Sequence, residues 1–485
     1  MPYEEARIFT HVQTTPEATW VIPHNLSTSY PIVTTWIDDG GVVTTLLPSA
    51  GGGDGPTLLH TIDNPNAYNT SQSDQFGYST SISDTYAIVC ARTEDDAGAG
   101  GTNSGKAYIF DVTTGALLHT LDNPNAYSTS FHDYFGQSTS ISGNYAIVGS
   151  VLEDDAGGTS SGKAYIFDVT TGALLHTLDN PNAYSTSLKD NFGQSTSISG
   201  NYAIVGAYLE DEAGGTSSGK AYIFDVTTGA LLHTLDNPNA YNTSAGDRFG
   251  YSTSISGNYA IVGAYYEDDA GGALSGKAYI FDVTTGALLH TLDNPNAFSI
   301  SGGDYFGWST SIDGNYAIVG AHREHDSAGT TSGKAYIFDV TTGALIHTLD
   351  NPNTFGTSAD DQFAHSTSIS GNYAIVGAIY EDDFGGDSSG KAYIFDVTTG
   401  ALLHTLDNPT TFDTSAGDQF GHNTSISGNY VIVGAFAEDD AGGQSSGKAY
   451  LFELAAPANG AVEVNTPNTT TISFNAPTIG TVSIS

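Results

Sequence analysis

Seven copies of one Phe-centred motif, at Phe76, Phe135, Phe192, Phe249, Phe306, Phe363 and Phe420, follow one another at a spacing of 59 residues once and 57 thereafter. A period this long and regular confines the chain to architectures in which one supersecondary unit packs against copies of itself. Length alone, 485 residues, would accommodate three unrelated domains, but the repeat overrides that count. From residue 135 one copy reads FGQSTSISG, NYAIVGS, GKAYIFDVTTG and ALLHTLDNP, four segments separated by turn-forming clusters. No stretch of ten or more residues shows the 3.6-residue apolar period, so the expected class is all-β. Four short strands per unit, repeated seven times, predict a seven-bladed β-propeller over residues 57–454.

Each segment has a place in such a blade. In AYIFDV, Tyr108 and Phe110 alternate with Ile109; both faces are apolar, so this strand is expected to lie between neighbouring blades, and NYAIVGA reads as similarly buried. FGQSTSISG is rich in Ser and Thr and suits the innermost strand, facing a narrow polar channel. Asp111 to Gly115 form a tight hairpin in which Asp and Thr bond local backbone and Gly supplies positive φ.

The ends of the array predict how the ring shuts. The first repeat element, TLLHTIDNP at residues 57–65, is an outermost-type strand that precedes the first motif Phe, whereas the last copy stops after GKAYLFELAAP without TTGALLHTL. Residues 57–65 are therefore expected to complete the blade begun at Phe420, leaving no open sheet edge.

Phe192-Gly193, GNYAIVGA at 200–207 and SGKAYIFD at 218–225, with equivalents in all seven copies, resemble the FG-GAP repeat of integrin α-chains and many bacterial proteins. The resemblance implies a propeller. The calcium loop of DxDxDG type found in that family is absent, and Ala364 stands once in place of the motif glycine.

Residues 1–50 and 455–485 are free of the repeat. Strand-like runs around Trp20 to Ile22, Ile32 to Ile37, Ile472 to Phe474 and Val482 to Ile484 predict one small β-sandwich made by both termini, with the propeller inserted in a loop. Trp20, Ile22, His24-Asn25-Leu26, Tyr30-Pro31 and the closing ISFNAPTIGTVSIS are similar to a small β-domain that recurs in bacteriophage tail and other virion proteins. That resemblance implies a docking domain carrying a displayed module on a phage particle.

Acidic residues outnumber basic ones 53 to 12, a formal net charge of −41, so phosphate backbones are repelled and nucleic acid is excluded as the expected partner. The single cysteine, Cys90, permits no intrachain disulfide and stands where other copies carry Gly149 or Gly206, which reads as a small buried substitute. The first twenty residues have no basic segment followed by an apolar one, and no 18-residue apolar run occurs. Conventional secretion and membrane spanning are not expected.

An acidic triplet follows NYAIVGA in every copy or nearly so, including Glu153-Asp154-Asp155, Glu210-Asp211-Glu212 and Glu267-Asp268-Asp269. Hard cations take several oxygen ligands from a turn, which makes calcium the candidate cofactor for Glu153, Asp154, Asp155, Glu210, Asp211, Glu267, Asp268 and Asp269. Three consecutive side chains do not converge on one ion without carbonyls joining, however, and a lysine follows in each copy from Lys106 to Lys448. Charge pairing between loop and following strand is the simpler account.

An aspartate two residues before each motif Phe, such as Asp133, reads as turn-stabilising through backbone N–H groups. The histidine of LLHTL, such as His119, reads as packing between blades on a face shared with Leu117 and Leu121. The copies differ mainly between DNP and the motif Phe and in the acidic-loop tips. Exposed aromatics there, Tyr68, Tyr127, Tyr184 and Tyr241, are the candidate ligand contacts.

No Ser-His-Asp set, phosphate loop, zinc spacing or unique carboxylate pair stands out from the repeat. The expectation is a non-enzymatic structural and binding protein of a bacteriophage virion: a tail-associated protein, head decoration or fibre assembled in the host cytoplasm. It would dock on other virion proteins, in a homo-oligomer of trimeric or higher symmetry, and display its ring to host-surface glycan or protein. The alternatives are a bacterial FG-GAP adhesion protein at the cell surface and a propeller hydrolase or lyase.

Overall fold

The structure, a computed structural model, describes residues 55–454 apart from 67–72, 96–102, 126–131, 155–158, 183–188, 212–215, 240–245, 269–273, 296–302, 326–330, 354–359, 383–386, 410–416 and 440–443, together with six short strands in the terminal segments. Two compact units divide the chain: Pro56–Glu453, and Met1–Gly55 with Leu454–Ser485.

Pro56–Glu453 is a seven-bladed β-propeller of four-stranded antiparallel blades. In one blade Phe192–Ser199, Tyr202–Ala207, Lys220–Asp225 and Leu231–Asp236 lie side by side from the channel outward. Ala221, Tyr222, Ile223 and Phe224 on the third strand are all buried, because each face meets a neighbouring blade. Ile147, Ile166 and Leu178 of one blade form a single core with Phe192, Val205, Tyr222 and Phe224 of the next. Phe192, fully buried, packs against Tyr222 and Phe224 with ring centroids 5.8 and 6.0 Å apart; burial of such a ring is worth about 2–3 kcal/mol.

Polar contacts bind the blades into a ring at three radii. Near the axis the Ile198 N–H donates to Ser140 Oγ, and the same bond recurs at all seven junctions, ending with Ile82 to Ser425. Further out, each motif Phe N–H donates to a serine carbonyl of the preceding blade, as from Phe192 to Ser161 at 3.0 Å and from Phe76 to Ser446 at 2.9 Å. At the periphery His176 Nε2 donates to the Thr227 carbonyl in the hairpin of the next blade at 3.2 Å. The histidine thus packs between blades, but the face expected for it is divided. A register shift between Ile109 and Phe110 leaves Leu121 buried and Leu117 exposed.

Ring closure follows the expected route. Thr57–Asp63 pairs antiparallel with Lys448–Glu453, Asp63 opposite Lys448, and is the outer strand of the blade that begins at Phe420. In the hairpins Asp168 Oδ1 accepts from the N–H of Thr170 and Thr171 and from the Thr170 hydroxyl, and Gly172 takes φ 70°. Ala364 takes φ 70° as well. The left-handed backbone costs a residue with a Cβ about 1–2 kcal/mol, and the fully buried methyl returns close to 1 kcal/mol of that.

In the terminal unit Thr19–Val21 pairs antiparallel with Thr481–Ser483, Thr34–Thr35 with Thr44–Thr45, and Ala461–Val462 with Ile472–Ser473. The remainder of the sandwich expected of the two termini lies outside the described residues.

Candidate functional site

Blades this similar differ in side chain at three positions that the fold brings to one end of the channel. The first is the residue after each motif Phe-Gly or Phe-Ala pair. Around Gly193 the inner strand breaks register between Phe192 and Ser195, a bulge that re-aims the intervening residue. The seven residues so placed, Tyr78, Gln137, Gln194, Tyr251, Trp308, His365 and His422, line a central cavity of about 260 Å³. Below them the wall is hydroxyl-rich, as expected: Ser138 Oγ donates to the Gly193 carbonyl at 2.9 Å, and in the last blade Asn423 Oδ1 accepts from Thr80 N and Oγ1, each at 2.9 Å.

The second position follows the NYAIVGA strand and carries Arg92, Tyr208, Tyr265, His322 and Phe436 among others. The third immediately precedes each motif Phe and includes Tyr134, Arg248 and Tyr305, held at φ 55°, 61° and 60°. Non-glycine residues in this region store strain of about 1 kcal/mol or more, and here the strained turn carries the variable side chain.

Together these residues form a continuous aromatic surface around one side of the mouth. Trp308 lies 4.7 Å from Tyr251, 5.0 Å from Tyr265 and 4.4 Å from His322, and is stacked at 18° on Tyr305 with centroids 6.4 Å apart. The surface continues through His365 and His422, 5.0 Å apart, to Phe436 and Tyr78. On the opposite side Gln137 and Gln194 present amides. Burial pushes His365 down to about 4 and holds His322 and His422 well below the usual imidazole range, so all three are neutral near pH 7.

Two arginines lie over tyrosine rings of this surface. The Arg92 guanidinium sits 3.4 Å from the Tyr78 ring centre and donates through Nε to Gln75 at 2.7 Å and through Nη1 to Gln137 at 3.0 Å. Arg248 sits 3.8 Å from the Tyr266 ring centre and donates to the Tyr265 hydroxyl. Arg323 lies 5.0 Å from the Tyr305 ring centre.

In the acidic triplets the described carboxylates are engaged within their own blade. Glu153 is fully buried and both its carboxylate oxygens accept from the Tyr165 hydroxyl, at 2.6 and 2.8 Å; Glu210 with Tyr222 and Glu267 with Tyr279 repeat the pair. Burial raises Glu153 to about 7 and Glu210 and Glu267 to about 8. Asp154, Asp211 and Asp268 turn the other way and accept the N–H of Ser160, Ser217 and Leu274, each at 2.8 Å, closing their own loops. Asp155 and Asp269 lie outside the described residues. Among the described residues no three acidic, His or Cys side chains are grouped so as to hold a metal ion.

The blade lysines reach chiefly to the outer strand rather than to the loop, Lys163 to Asp179 and Lys277 to Asp293 at 2.9 Å. Loop glutamates are paired as well, Lys277 with Glu267 at 3.8 Å, Lys391 with Glu381 at 3.4 Å and Lys448 with Glu438 at 2.8 Å, the last closer than Lys448 to Asp63 at 4.0 Å. Asp133 accepts from the Asn123 side chain at 3.1 Å, tying the DNP turn to the motif Phe. Cys90 is fully buried, with its thiol pushed up by desolvation. Tyr68, Tyr127, Tyr184 and Tyr241 lie outside the described residues. The mouth residues were missed in the sequence, although their signal is there: Y, Q, Q, Y, W, H and H after the motif pair in an otherwise near-constant inner strand.

Seven segments, 66–110, 126–167, 183–224, 239–281, 300–338, 356–395 and 410–452, match the model of the FG-GAP repeat. No curated protein is significantly similar in sequence. Among solved structures, the crystal structure of the computationally designed Ika8 protein is similar at 14% identity and a TM-score of 0.43, over 82% of this chain and 100% of that one.

Proposed function

The chain belongs to the FG-GAP repeat family, its seven matched repeats being the seven blades, and on that premise we propose that it is a non-enzymatic binding and display protein whose ligand enters the channel mouth. One observation carries this reading. Inner-strand residues that are otherwise nearly constant diverge at the mouth into aromatic faces, imidazoles and amides, with guanidinium groups from the adjoining turns beside them, which is recognition chemistry on a rigid support. Aromatic faces beside amides and hydroxyls favour a cell-surface glycan, since a sugar ring offers both a C–H face and hydroxyl groups. Binding of a panel of bacterial surface glycans by the intact protein, without release of shortened products, is the expected result. Turnover of any bound glycan would refute the non-enzymatic part, and no binding to the panel would refute the glycan part.

The terminal unit supports a mounting role, because Thr19–Val21 and Thr481–Ser483 bring the two ends of the chain into one sheet. With the virion-like pattern of those termini, we read the mount as a bacteriophage particle and the ring as its host-attachment module, docked on other virion proteins. A bacterial surface adhesion protein is the second reading, favoured by the repeat family itself. Mass spectrometry of purified particles should find the chain; recovery from washed cell envelopes instead would overturn the virion assignment.

A further inference from the structure

The twelve Lys and Arg residues are distributed unevenly against 53 Asp and Glu. Seven are the blade lysines, each beside an outer-strand aspartate. Of the other five, Arg92, Arg248 and Arg323 stand in the aromatic mouth. None of the three has a carboxylate partner among the described residues. In so acidic a chain, a guanidinium left without a carboxylate is a site held for an anion from outside.

The geometry points to a carboxylate-bearing sugar as the ligand of this mouth, bound with its ring on the Trp308 and Tyr305 side and its carboxylate on Arg92 or Arg248; this rests on the glycan-binding reading above. A guanidinium has five N–H donors. Arg92 uses two, on Gln75 and Gln137, and Arg248 uses one, on Tyr265, so each keeps a pair for bidentate recognition of a carboxylate. The aromatic rings and these hydrogen bonds hold both guanidinium groups in place before any ligand arrives, which reduces the entropy lost on binding. A second, independent feature is His322. Its side chain is 3% exposed, packs 4.4 Å from Trp308, and its Nδ1 has no hydrogen-bond partner. A buried polar atom without a partner costs about 1–3 kcal/mol, and a ligand hydroxyl that reached Nδ1 through a shift of the Trp308 wall would relieve it. The cavity of about 260 Å³ suits one sugar ring entering end-on rather than a chain lying across it.

The test is calorimetric titration of the full chain with an oligosaccharide ending in glucuronic acid and with its glucose-terminated counterpart. The acidic sugar should bind about tenfold or more tightly than the neutral one, the size expected of a charge-assisted pair. One of Arg92→Gln and Arg248→Gln, the one whose guanidinium holds the carboxylate, should remove most of that margin while melting as the parent does, and Lys163→Gln, at the periphery, should leave it intact. Should either Arg variant fail to fold, Trp308→Leu, which ought to weaken both sugars alike, and competition by free glucuronate on the parent keep the question answerable. Equal binding of both sugars, unaffected by the Arg substitutions, would overturn this inference and leave glycan binding standing. Binding of neither sugar, with binding of an acidic peptide in the same titration, would overturn both.

Discussion

At the scale of single residues the most telling contact is the buried Glu–Tyr pair under each acidic loop. Tyr165→Phe would leave the Glu153 carboxyl buried without its donor, so the denaturant midpoint should fall by the equivalent of about 1–3 kcal/mol; an unchanged midpoint would show that water replaces the hydroxyl. The same pairs set a pH dependence. Glu94, Glu210 and Glu267 titrate near 8 and Glu153 and Glu381 near 7 in the folded state, against about 4.3 when unfolded. The folded state therefore holds more protons, and this contribution is full below about pH 4 and lost as pH rises through 7 to 8. The hairpin aspartates act in the opposite sense. Asp168 and Asp225 are held below the ordinary carboxylate range by Thr hydroxyl and N–H donors, so their contribution disappears as pH falls through their folded values. Thermal midpoints should rise from pH 9 to about pH 5 and fall again below about pH 4. Glu210→Gln should flatten the alkaline limb; a limb of unchanged slope would mean that Glu210 is not one of its sources.

At the scale of elements, ring closure and blade-to-blade approach decide stability. Gly162 sits at φ 83° with the next blade's Phe192 carbonyl 2.0 Å from where a Cβ would stand, and bridges to Phe192 directly. Gly162→Ala should cost about 3 kcal/mol or more, since it combines backbone strain with a clash against main chain; chemical denaturation would measure it. The closing strand Thr57–Asp63 is the one outer strand supplied from the opposite end of the repeat array. Its deletion exposes the Lys448–Glu453 edge, and analytical ultracentrifugation should then show association or loss of the folded monomer. A stable monomer with the parental midpoint would mean that closure contributes little. The four-strand grammar of these elements was legible in the sequence because period-2 burial and turn residues are local properties. The divided face around His119 was not, because the bulge at Ile109 and Phe110 depends on how the outer strand meets its partner.

At the scale of the whole molecule, a net charge of −41 surrounds a mouth in which three arginines lie against tyrosine rings, while each acidic loop keeps its glutamate folded inward. Since the loop carboxylates are already committed, to Tyr165 from Glu153 and to the Ser160 N–H from Asp154, chelator should leave the melting temperature where it is. A drop reversed by added calcium would reassign the loops as cation sites.

What the sequence determined by itself is the architecture: seven four-stranded blades, the buried third strand, the polar inner strand, and a ring shut by residues 57–65. Each of these follows from hydrophobic periodicity, turn chemistry and the count of elements at the two ends, all of which are written along the chain. The tertiary structure decided which carboxylates face solvent and where the blades' differences converge. Tyr78, Tyr251, Trp308, His365 and His422 are separated by dozens to hundreds of residues and meet only because circular closure and the interruption of the inner-strand ladder after the motif Phe, a bulge in five blades and a later strand start in the other two, turn one position per blade toward a common axis.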